Sequence, residues 1–328
     1  MRRFAYERAA DTAGAIATVS GSSPAAFLAG GTNLVDLMKL GVEAPELLVD
    51  ITRLPLDRIE TTDGGVRIGA GVRNSDLVAD LVIRRQLPVL ARAVLAGASG
   101  QLRNVATVGG NLLQRTRCLY FQDVSKPCNK RMPGSGCPAM EGDHRNLAIL
   151  GGSPSCIATH ASDMAVALVA LDAIVHLEDS GGPRAVPIGE LYRLPGDEPH
   201  RDTTLPRGSL ITAVEIPPLG FSRRSTYRKV RDRASYAFAV ASVAAALDVH
   251  EGVVRDVRMA LGAVAPVPWR AHRAEDALRG QPATEASFRR AAEAELADAR
   301  PRRDNGFKVP LMSNVITRSL SDLAGLGP

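Results

Sequence analysis

The amino-acid sequence predicts an α+β fold with about two domains. The chain has 328 residues, of which 45% are apolar and 23% charged, as in globular proteins that bury large cores. Residues 1–220 mix short apolar runs, glycine-rich turns and segments of helical periodicity. Residues 222–326 open on two long strands and continue with three helices, an order typical of an α+β domain with an antiparallel sheet.

The first predicted unit is a strand, a glycine turn and a helix. The apolar run of residues 25–28 predicts a buried strand, which leads into Ala-Gly-Gly-Thr-Asn at residues 29–33. Residues 34–40 are apolar with a helical period, which predicts a helix that ends at Gly41. The run Leu-Leu-Val-Asp-Ile at residues 47–51 predicts the next strand.

A second series of elements begins with a strand between two glycines, residues 65–69. Asn74 or Ser75 can cap the helix that follows it, because both side chains accept hydrogen bonds from helix N–H groups. A further helix is predicted over residues 88–98. Residues 103–111 then have the composition of a turn and contain a second pair of adjacent glycines.

Regular structure is predicted again after the cysteine-containing segment described below. Ser162 and Asp163 provide a good N-terminus for a helix over residues 164–171, because the serine can cap and the aspartate complements the helix dipole. Strands are predicted over residues 173–177 and 210–216, the second one closed by two prolines.

The C-terminal unit follows a predicted linker at residues 220–224. Strands are predicted over residues 239–249 and 253–262, joined by the hairpin turn His-Glu-Gly at residues 250–252. The three helices predicted after them span residues 269–278, 285–299 and 309–324.

All four cysteines of the chain fall within one segment without sustained periodicity, residues 114–156. They are Cys118, Cys128, Cys137 and Cys156. Four thiolates are the ligand set of a zinc ion or an iron–sulfur cluster, and a metal centre would order a loop of this length. The spacing matches neither the paired cysteines of common zinc sites nor the runs of ferredoxins, and two disulfides are a further alternative outside a reducing compartment.

Basic residues are interleaved with the first two cysteines. Between residues 115 and 131 a single acidic residue, Asp123, stands among five cations. The five are Arg115, Arg117, Lys126, Lys130 and Arg131. A four-thiolate iron–sulfur centre is an anion, so these cations would stabilise it; a solvated basic loop is the other interpretation.

Composition disfavours several classes of function. The net charge is +5 and the pI about 9.2, but acidic residues are interleaved with the basic ones and aromatic content is only 4%, so nucleic-acid binding is not expected. The longest apolar run, residues 236–247, is too short to span a bilayer. No apolar segment follows the two N-terminal arginines, so no secretion signal is expected, and export would need a signal on a partner.

Two glycine turns have a composition suited to an anion. Residues 29–33 and 107–111 each combine adjacent glycines, a threonine and an asparagine. Glycines allow backbone N–H groups to approach a phosphate closely, and two such turns could hold one diphosphate from both sides. Neither turn matches the dinucleotide fingerprint or the P-loop, and an ordinary tight turn is the alternative. Residues 151–153 (Gly-Gly-Ser) are a third, weaker candidate.

Five ordered segments resemble the FAD-binding subunits of the molybdenum hydroxylases, the group that includes xanthine dehydrogenase, carbon monoxide dehydrogenase and aldehyde oxidoreductase. They cover residues 29–41 (AGGTNLVDLMKLG), 103–112 (RNVATVGGNL), 161–173 (ASDMAVALVALDA), 227–247 (YRKVRDRASYAFAVASVAAAL) and 261–271 (LGAVAPVPWRA). The resemblance extends over nearly the whole chain.

This resemblance implies a particular architecture. Residues 1–220 would form an FAD-binding domain of the PCMH or vanillyl-alcohol-oxidase type, with lobes at about 1–57 and 58–220. Residues 222–326 would form a C-terminal domain like that of the carbon monoxide dehydrogenase flavoprotein. FAD would lie between the two lobes and extend toward the C-terminal domain.

The resemblance also assigns residues to FAD. Lys229 matches a basic residue near the flavin, although a surface cation is the alternative, and Asp163 could be only the first residue of a helix. His160, close to this helix, is expected to be structural. The residues assigned to FAD are Ala29, Gly30, Gly31, Thr32, Asn33, Leu34, Thr107, Gly109, Gly110, Asn111, Ser162, Asp163 and Lys229.

Many members of the family lack the segment that contains the cysteines here. Its presence resembles the subgroup with an additional [4Fe–4S] cluster, found in periplasmic aldehyde oxidoreductases and 4-hydroxybenzoyl-CoA reductase. The resemblance therefore implies that Cys118, Cys128, Cys137 and Cys156 bind such a cluster, with His144 as a substitute ligand if one is needed.

The partners implied by the resemblance are a large molybdenum-cofactor subunit and a small [2Fe–2S] subunit, which form a heterotrimer with this chain. Electrons from aldehyde oxidation would reach FAD on this chain and leave to an external acceptor, so no residue here would act on the aldehyde. The assembly would be cytoplasmic, or periplasmic if a partner carries the export signal. The alternatives are a self-contained flavin oxidase or dehydrogenase, and a non-enzymatic module whose loop is braced by zinc or disulfides.

Overall fold

The structure is a computed structural model that describes residues 1–22, 24–63 and 65–326. Its first sheet is parallel and has three strands in the order β1-β3-β2: β1 (Ala5–Arg8), β2 (Ala25–Leu28) and β3 (Leu47–Asp50). The two crossovers of this sheet carry the helices α1 (Thr12–Gly21) and α2 (Leu34–Leu40). The α2 helix ends at Gly41, whose φ of 75° is left-handed, as the sequence predicts.

The second sheet is antiparallel and has five strands in the order β4-β5-β8-β6-β7. Its strands are β4 (Ile59–Thr61), β5 (Val66–Gly69), β6 (Ile174–Asp179), β7 (Gly182–Pro187) and β8 (Leu210–Ile216). Most of the helices in this part of the chain lie in the long connection from β5 to β6. The helices are α3 (Asn74–Ala79), α4 (Leu81–Gln86), α5 (Pro88–Ala96), α6 (Gly100–Arg103), α7 (Val108–Leu112), α8 (Leu119–Gln122), α9 (Asp163–Ala170) and α10 (Ile188–Leu191).

The third sheet is also antiparallel and has four strands in the order β12-β11-β10-β9. Its strands are β9 (Ser225–Val230), β10 (Ala241–His250), β11 (Val253–Gly262) and β12 (Trp269–Arg270). One face is covered by α11 (His272–Leu278), α12 (Glu285–Leu296) and α13 (Lys308–Leu323). The prediction of an α+β fold is confirmed, and within the described residues no helix is both long and apolar enough to cross a membrane.

Two large apolar cores organise the chain. The first joins the second sheet to α5 and α9, and the second joins the third sheet to its three covering helices. Helix α9 is apolar around its whole circumference because it packs between α5 on one side and β10 and β11 on the other. Its N-terminal residue, Asp163, is thereby fixed at the boundary between the two parts of the fold.

Several sequence-based boundaries need correction. The helix predicted over residues 269–278 begins at His272, because Trp269 and Arg270 pair with the end of β11 as an edge strand. Residues 103–111, predicted as a turn, include the end of α6 and the start of α7. The unstructured segment of residues 114–156 contains α8 and a single 3₁₀ turn, Pro138–Met140, but is otherwise irregular, as predicted.

Candidate cofactor sites

A single large cleft collects the residues predicted to bind FAD. Its volume is about 1030 Å³, and every predicted FAD residue except Ser162 lines it. Ser162 lies immediately beside the cleft, in a small side pocket that it shares with Asp163. Segments that are distant in the sequence, including residues 29–34, 107–111 and Lys229, are thus brought to one concave surface.

The first glycine turn requires both of its glycines. A side chain on Gly30 would place its Cβ 2.1 Å from the carbonyl oxygen of Val105, so the first turn is in direct backbone contact with residues 105–106, just before the second turn. Gly31 has a φ of 68°, a conformation that disfavours any residue with a side chain. Within the described part of the chain, the backbone N–H groups of Gly31 and Thr32 donate to no protein acceptor. These N–H groups are therefore available to a ligand.

Asn33 adds a side-chain donor to this turn. Its Oδ1 accepts a hydrogen bond from the backbone N–H of Arg115 at 2.8 Å. Its Nδ2 is buried and has no partner among the described residues, and the Oδ1 of Asn74 on the same cleft wall is also unpaired. Buried polar atoms are nearly always hydrogen-bonded in proteins, so unpaired atoms here fit a cleft whose ligand supplies the partner. A diphosphate would suit the Asn33 amide.

The second glycine turn differs from the first. Thr107 caps α7 through its Oγ1, which accepts from the N–H of Gly110 at 3.3 Å, and the N–H of Gly109 donates to Ala70 at 2.9 Å. The Asn111 Oδ1 accepts from the hydroxyl of Ser162 at 2.6 Å. These N–H groups are already bonded within the chain, so this turn shapes the cleft and supports the first turn.

Asp163 and Lys229 form a buried ion pair at the cleft. The Lys229 Nζ lies 2.8 Å from Asp163 Oδ2, and their side chains are 4% and 10% exposed. The same ammonium group donates to the carbonyl of Ala96, and the hydroxyl of Tyr227 donates to Asp163 Oδ1 at 2.5 Å. Burial, together with Asp163, raises the pKa of Tyr227 well above its usual value. The alternative of Lys229 as a surface cation is therefore wrong.

His160, which the sequence predicts to be structural, packs beside the turn that precedes α9. Its ring packs edge-on against Tyr192 at 4.7 Å, and its Nδ1 accepts from the backbone N–H of Ser162 at 3.2 Å. Burial lowers the pKa of His160 to about 4, so the ring is neutral at pH 7. A histidine held in this way supports the turn before α9.

The four cysteines surround one small cavity. Cys118, Cys128, Cys137 and Cys156 all line it, together with Tyr120 and Phe121. All four are free thiols, so the disulfide alternative is not seen in the structure. Burial, with a smaller contribution from the neighbouring thiols of Cys156 and Cys128, raises the pKa of Cys118 to about 11. Loading this site with a metal would therefore displace protons from buried thiols.

The described thiols line one cavity without converging on a single point. In the described residues, no three Cys, His, Asp or Glu side chains converge closely enough to hold one metal ion. A single zinc ion with Zn–S bonds of about 2.3 Å needs its four sulfurs in tight contact. A [4Fe–4S] cluster places four iron atoms between its thiolates and needs them further apart. Within the described residues, the four thiols therefore share a cavity but form no site for a single metal ion.

Asn129 connects three of the cysteine-bearing segments, a role that the sequence does not signal. Its side chain accepts from the N–H of Gly136 at 2.7 Å, next to Cys137, and donates to the carbonyl of Ser155 at 3.1 Å, next to Cys156. Asn129 itself follows Cys128. One amide side chain thus sets the spacing of three thiols.

Both ring nitrogens of His144 have partners outside the cysteine cavity. Its Nδ1 lies 3.1 Å from Asp304 and its Nε2 3.0 Å from the carbonyl oxygen of Met140. Both ring nitrogens are therefore occupied, and His144 does not line the cysteine cavity. The structure gives no support to His144 as a substitute ligand.

The basic residues around the cysteines are largely paired. Arg115 bridges Glu43 at 2.6 Å and Asp202 at 2.8 Å, and Lys130 pairs with the other oxygen of Asp202. Burial alone would raise the pKa of Asp202, but Arg115 and Lys130 outweigh it and hold the pKa below its usual value.

Two other cations of this group also have partners. Arg117 pairs with Asp36 at 3.1 Å, and Arg131 donates to the carbonyls of Tyr120 and Phe121. The alternative of a solvated basic loop is therefore wrong for these residues.

Comparison with known proteins agrees with this geometry. The family described as "FAD binding domain in molybdopterin dehydrogenase" matches residues 2–219, and the "CO dehydrogenase flavoprotein C-terminal domain" matches residues 225–323. The chain is 49% identical over 325 residues to the aldehyde oxidoreductase FAD-binding subunit PaoB of Escherichia coli K12, covering 98% of both chains.

More distant relatives include a protein of known structure. The chain is 26% identical over 325 residues to the carbon monoxide dehydrogenase medium chain of Hydrogenophaga pseudoflava, covering 97% of this chain and 96% of that one. A solved structure of carbon monoxide dehydrogenase from this organism, lacking the Mo-pyranopterin moiety, matches with a TM-score of 0.77 over 99% of this chain and 98% of that chain.

The fold, the cleft and the matched families define an FAD-binding oxidoreductase subunit. The chain belongs to the FAD-binding medium subunits of the molybdenum hydroxylases, the family that its sequence motifs resemble.

Proposed function

We propose that the chain is the FAD- and [4Fe–4S]-binding electron-transfer subunit of a heteromeric molybdenum-containing aldehyde oxidoreductase. It would pass electrons from the molybdenum and [2Fe–2S] subunits to an external acceptor. The observation that carries the proposal is the cleft in which two glycine turns meet beside the unpaired Asn33 amide. The aldehyde substrate class is taken from the name of the relative that is 49% identical over 98% of both chains.

The chain's residues would divide the binding of FAD among them. The free N–H groups of residues 31–32 and the Asn33 amide would hold the diphosphate, and Thr107 and Asn111 would keep the opposing turn in place. The Asp163–Lys229 pair would give one cleft wall a fixed dipole. Bound FAD would supply the reversible hydride and electron chemistry of the site.

The cysteine cavity supports the second cofactor. Cys118, Cys128, Cys137 and Cys156 would be the ligands, because they are the four thiols that line it. Cys118 and Tyr120 line this cavity and also the large cleft, so the two proposed sites share a wall. The cluster supplies one-electron redox chemistry when bound.

We further propose a division at residues 1–220 and 222–326, with a large molybdenum subunit and a small [2Fe–2S] subunit as partners. The relatives are named FAD-binding subunits and medium chains, which implies larger and smaller companions. A self-contained flavin oxidase is less well supported. It would need acid–base groups free to act on a substrate, whereas the pKa of His160 is lowered to about 4 and Asp163 is occupied by Lys229 and Tyr227.

The test is flavin reduction by aldehyde under anaerobic conditions. The full chain is loaded with FAD and mixed with an aldehyde, alone and within the complex that contains its partner subunits. We expect bleaching of the flavin absorption in the complex and none with the chain alone, while dithionite reduces the flavin in both. Aldehyde-dependent bleaching by the chain alone would contradict the proposal and favour the self-contained oxidase.

A further inference from the structure

We propose that the ion-pair network of Arg115, Asp202 and Lys130 couples the cysteine site to the FAD cleft, so that filling one site tightens the other. The inference rests on the proposed function, because it takes FAD and an iron–sulfur cluster as the two ligands. It assigns these three residues as positioning residues, which act through the groups that would contact the cofactors.

At the cleft, the network begins at Asn33. The backbone N–H of Arg115 donates to Asn33 Oδ1 at 2.8 Å, which leaves the amide Nδ2 for a ligand. The Arg115 guanidinium then bridges Glu43, three residues after the end of α2, and Asp202. Any displacement of Arg115 therefore moves the backbone N–H donor that orients the Asn33 side chain.

At the cysteine cavity, the network ends at Lys130. Its side chain is only 8% exposed, and its Nζ donates to the carbonyl of Pro199 at 2.7 Å and to Asp202. Lys130 lines the cavity together with all four cysteines. An anionic cluster in the cavity would therefore attract the same ammonium group that Asp202 holds.

An apolar contact runs parallel to the polar network. The guanidinium carbon of Arg115 lies 4.8 Å from the centroid of the Phe121 ring. Phe121 also packs in one buried cluster with Leu37 of α2 and with Cys128. Phe121 and Leu37 are each 1% exposed. The helix that follows the first glycine turn is thus in contact with a cysteine of the proposed cluster site, and close-packed interiors transmit displacements of this kind.

Asp202 is the residue on which the network depends. It stands between two partly buried cations, and its loss would leave both without their shared carboxylate. Coupling between two sites is reciprocal in binding free energy, with typical factors of about 5 to 150. We therefore expect the cluster to strengthen FAD binding by a factor in this range, and the factor to fall toward 1 when Asp202 loses its charge.

The experiment measures FAD affinity in iron-loaded and iron-free protein. The full chain is titrated with FAD and binding is followed by quenching of flavin fluorescence, with iron assayed on each sample. The variants are Asp202→Asn and Lys130→Gln, with Lys130→Arg as the conservative replacement that keeps the charge. The control is Glu198→Gln, which removes exposed pairs with Arg193 and Arg201 from the same loop.

In the wild type, the control and Lys130→Arg, we expect iron removal to weaken FAD binding by about 5-fold or more. In Asp202→Asn and Lys130→Gln, we expect FAD binding that no longer responds to iron. If the wild type binds both iron and FAD but its FAD affinity does not depend on iron, this inference alone is overturned. The same holds if the ratio of FAD affinities with and without iron is the same in both variants as in the wild type. A wild type that binds no FAD or no iron would overturn the proposed function and this inference with it.

Discussion

Arg115 and Asn33, 82 residues apart in the sequence, are joined by a hydrogen bond from the backbone N–H of one to the side-chain Oδ1 of the other. Because this bond occupies Oδ1, it fixes the orientation of the amide and leaves Nδ2 as an unpaired donor at the cleft. It also ties the first glycine turn to the start of the cysteine-containing segment. The binding chemistry of the cleft therefore depends on residues that belong to a different part of the chain.

The Asn33 amide can be tested by replacing its donor with an anion. In Asn33→Asp, the acceptor for Arg115 is kept, but a carboxylate would face the diphosphate of FAD. We expect FAD affinity to fall by about 10- to 150-fold, the value of one hydrogen bond to a charged group. Fluorescence titration measures this, with the exposed Asn314→Asp as the control. Unchanged FAD affinity in Asn33→Asp would show that the Asn33 side chain does not contact FAD.

The contact between the two glycine turns predicts a steric effect. In Gly30→Ala, the new Cβ meets the backbone carbonyl of Val105 at 2.1 Å, which can be relieved only by moving the first turn away from the segment that leads into the second. We expect a loss of about 1 to 3 kcal/mol in unfolding free energy and a loss of FAD binding. Gly21→Ala is the matched control, because no atom lies within 4 Å of its added Cβ. Wild-type FAD affinity in Gly30→Ala would contradict the geometry.

The Asp163–Lys229 pair predicts a large stability effect. In Lys229→Met, the buried carboxylate of Asp163 keeps only the hydroxyl of Tyr227, and we expect a loss of about 3 to 5 kcal/mol in unfolding free energy. The double variant with Asp163→Asn should recover part of this loss. Urea unfolding measures both, and Arg289→Met, which breaks an exposed pair, should cost less than about 1 kcal/mol. If Lys229→Met and Arg289→Met lose the same free energy of unfolding, the Asp163–Lys229 pair is not buried in solution.

His160 predicts a pH dependence of stability. Its pKa is lowered to about 4 in the folded protein, against about 6.5 in the unfolded chain. Between pH 6.5 and 4 the unfolded chain binds a proton that the folded protein does not, so stability falls as the pH falls through this window. In urea unfolding, we expect the free energy of unfolding of His160→Gln to fall by about 3 kcal/mol less between pH 7 and pH 4 than that of the wild type. Parallel curves for the two proteins would contradict a His160 ring that stays neutral in the folded protein.

Replacing Asn129 tests whether its hydrogen bonds hold the cysteine site together, because the substitution leaves all four thiols in place. Asn129→Ala removes the hydrogen bonds to Gly136 and Ser155, so the segments bearing Cys137 and Cys156 lose their connection to Cys128. We expect iron content to fall below half of the wild-type value while FAD binds at saturating concentration. The exposed Val124→Ala in the same segment is the control. Full iron retention in Asn129→Ala would show that the loop is held by other contacts.

Local sequence patterns were sufficient for the elements with strong periodicity or capping. The strand Leu210–Ile216, the helix Leu34–Leu40 with its stop at Gly41, and the N-cap at Ser162 lie where the sequence places them. Each depends on residues adjacent in the chain. The polar edge strand Ala5–Arg8 was not predicted, because its pairing with Leu47–Asp50 is a long-range property.

The site residues show the same division. Glycine turns and clustered cysteines are visible in the sequence because their composition is unusual. The pairing of Lys229 with Asp163, the role of Asn129 and the shared use of Asp202 by two cations are not visible, because each joins segments that only the fold brings together. The sequence therefore predicts the groups that would touch the cofactors better than it predicts the groups that hold them in place.

The most direct test of the central claim, that one chain holds FAD and a four-iron cluster, is the cofactor content of anaerobically purified protein. The absorption spectrum is recorded, and iron, acid-labile sulfide and zinc are assayed on the same sample. We predict flavin bands with about one FAD, four iron and four sulfide per chain. Flavin with zinc, or with no metal after anaerobic reconstitution with iron and sulfide, would contradict the account of the cysteine site.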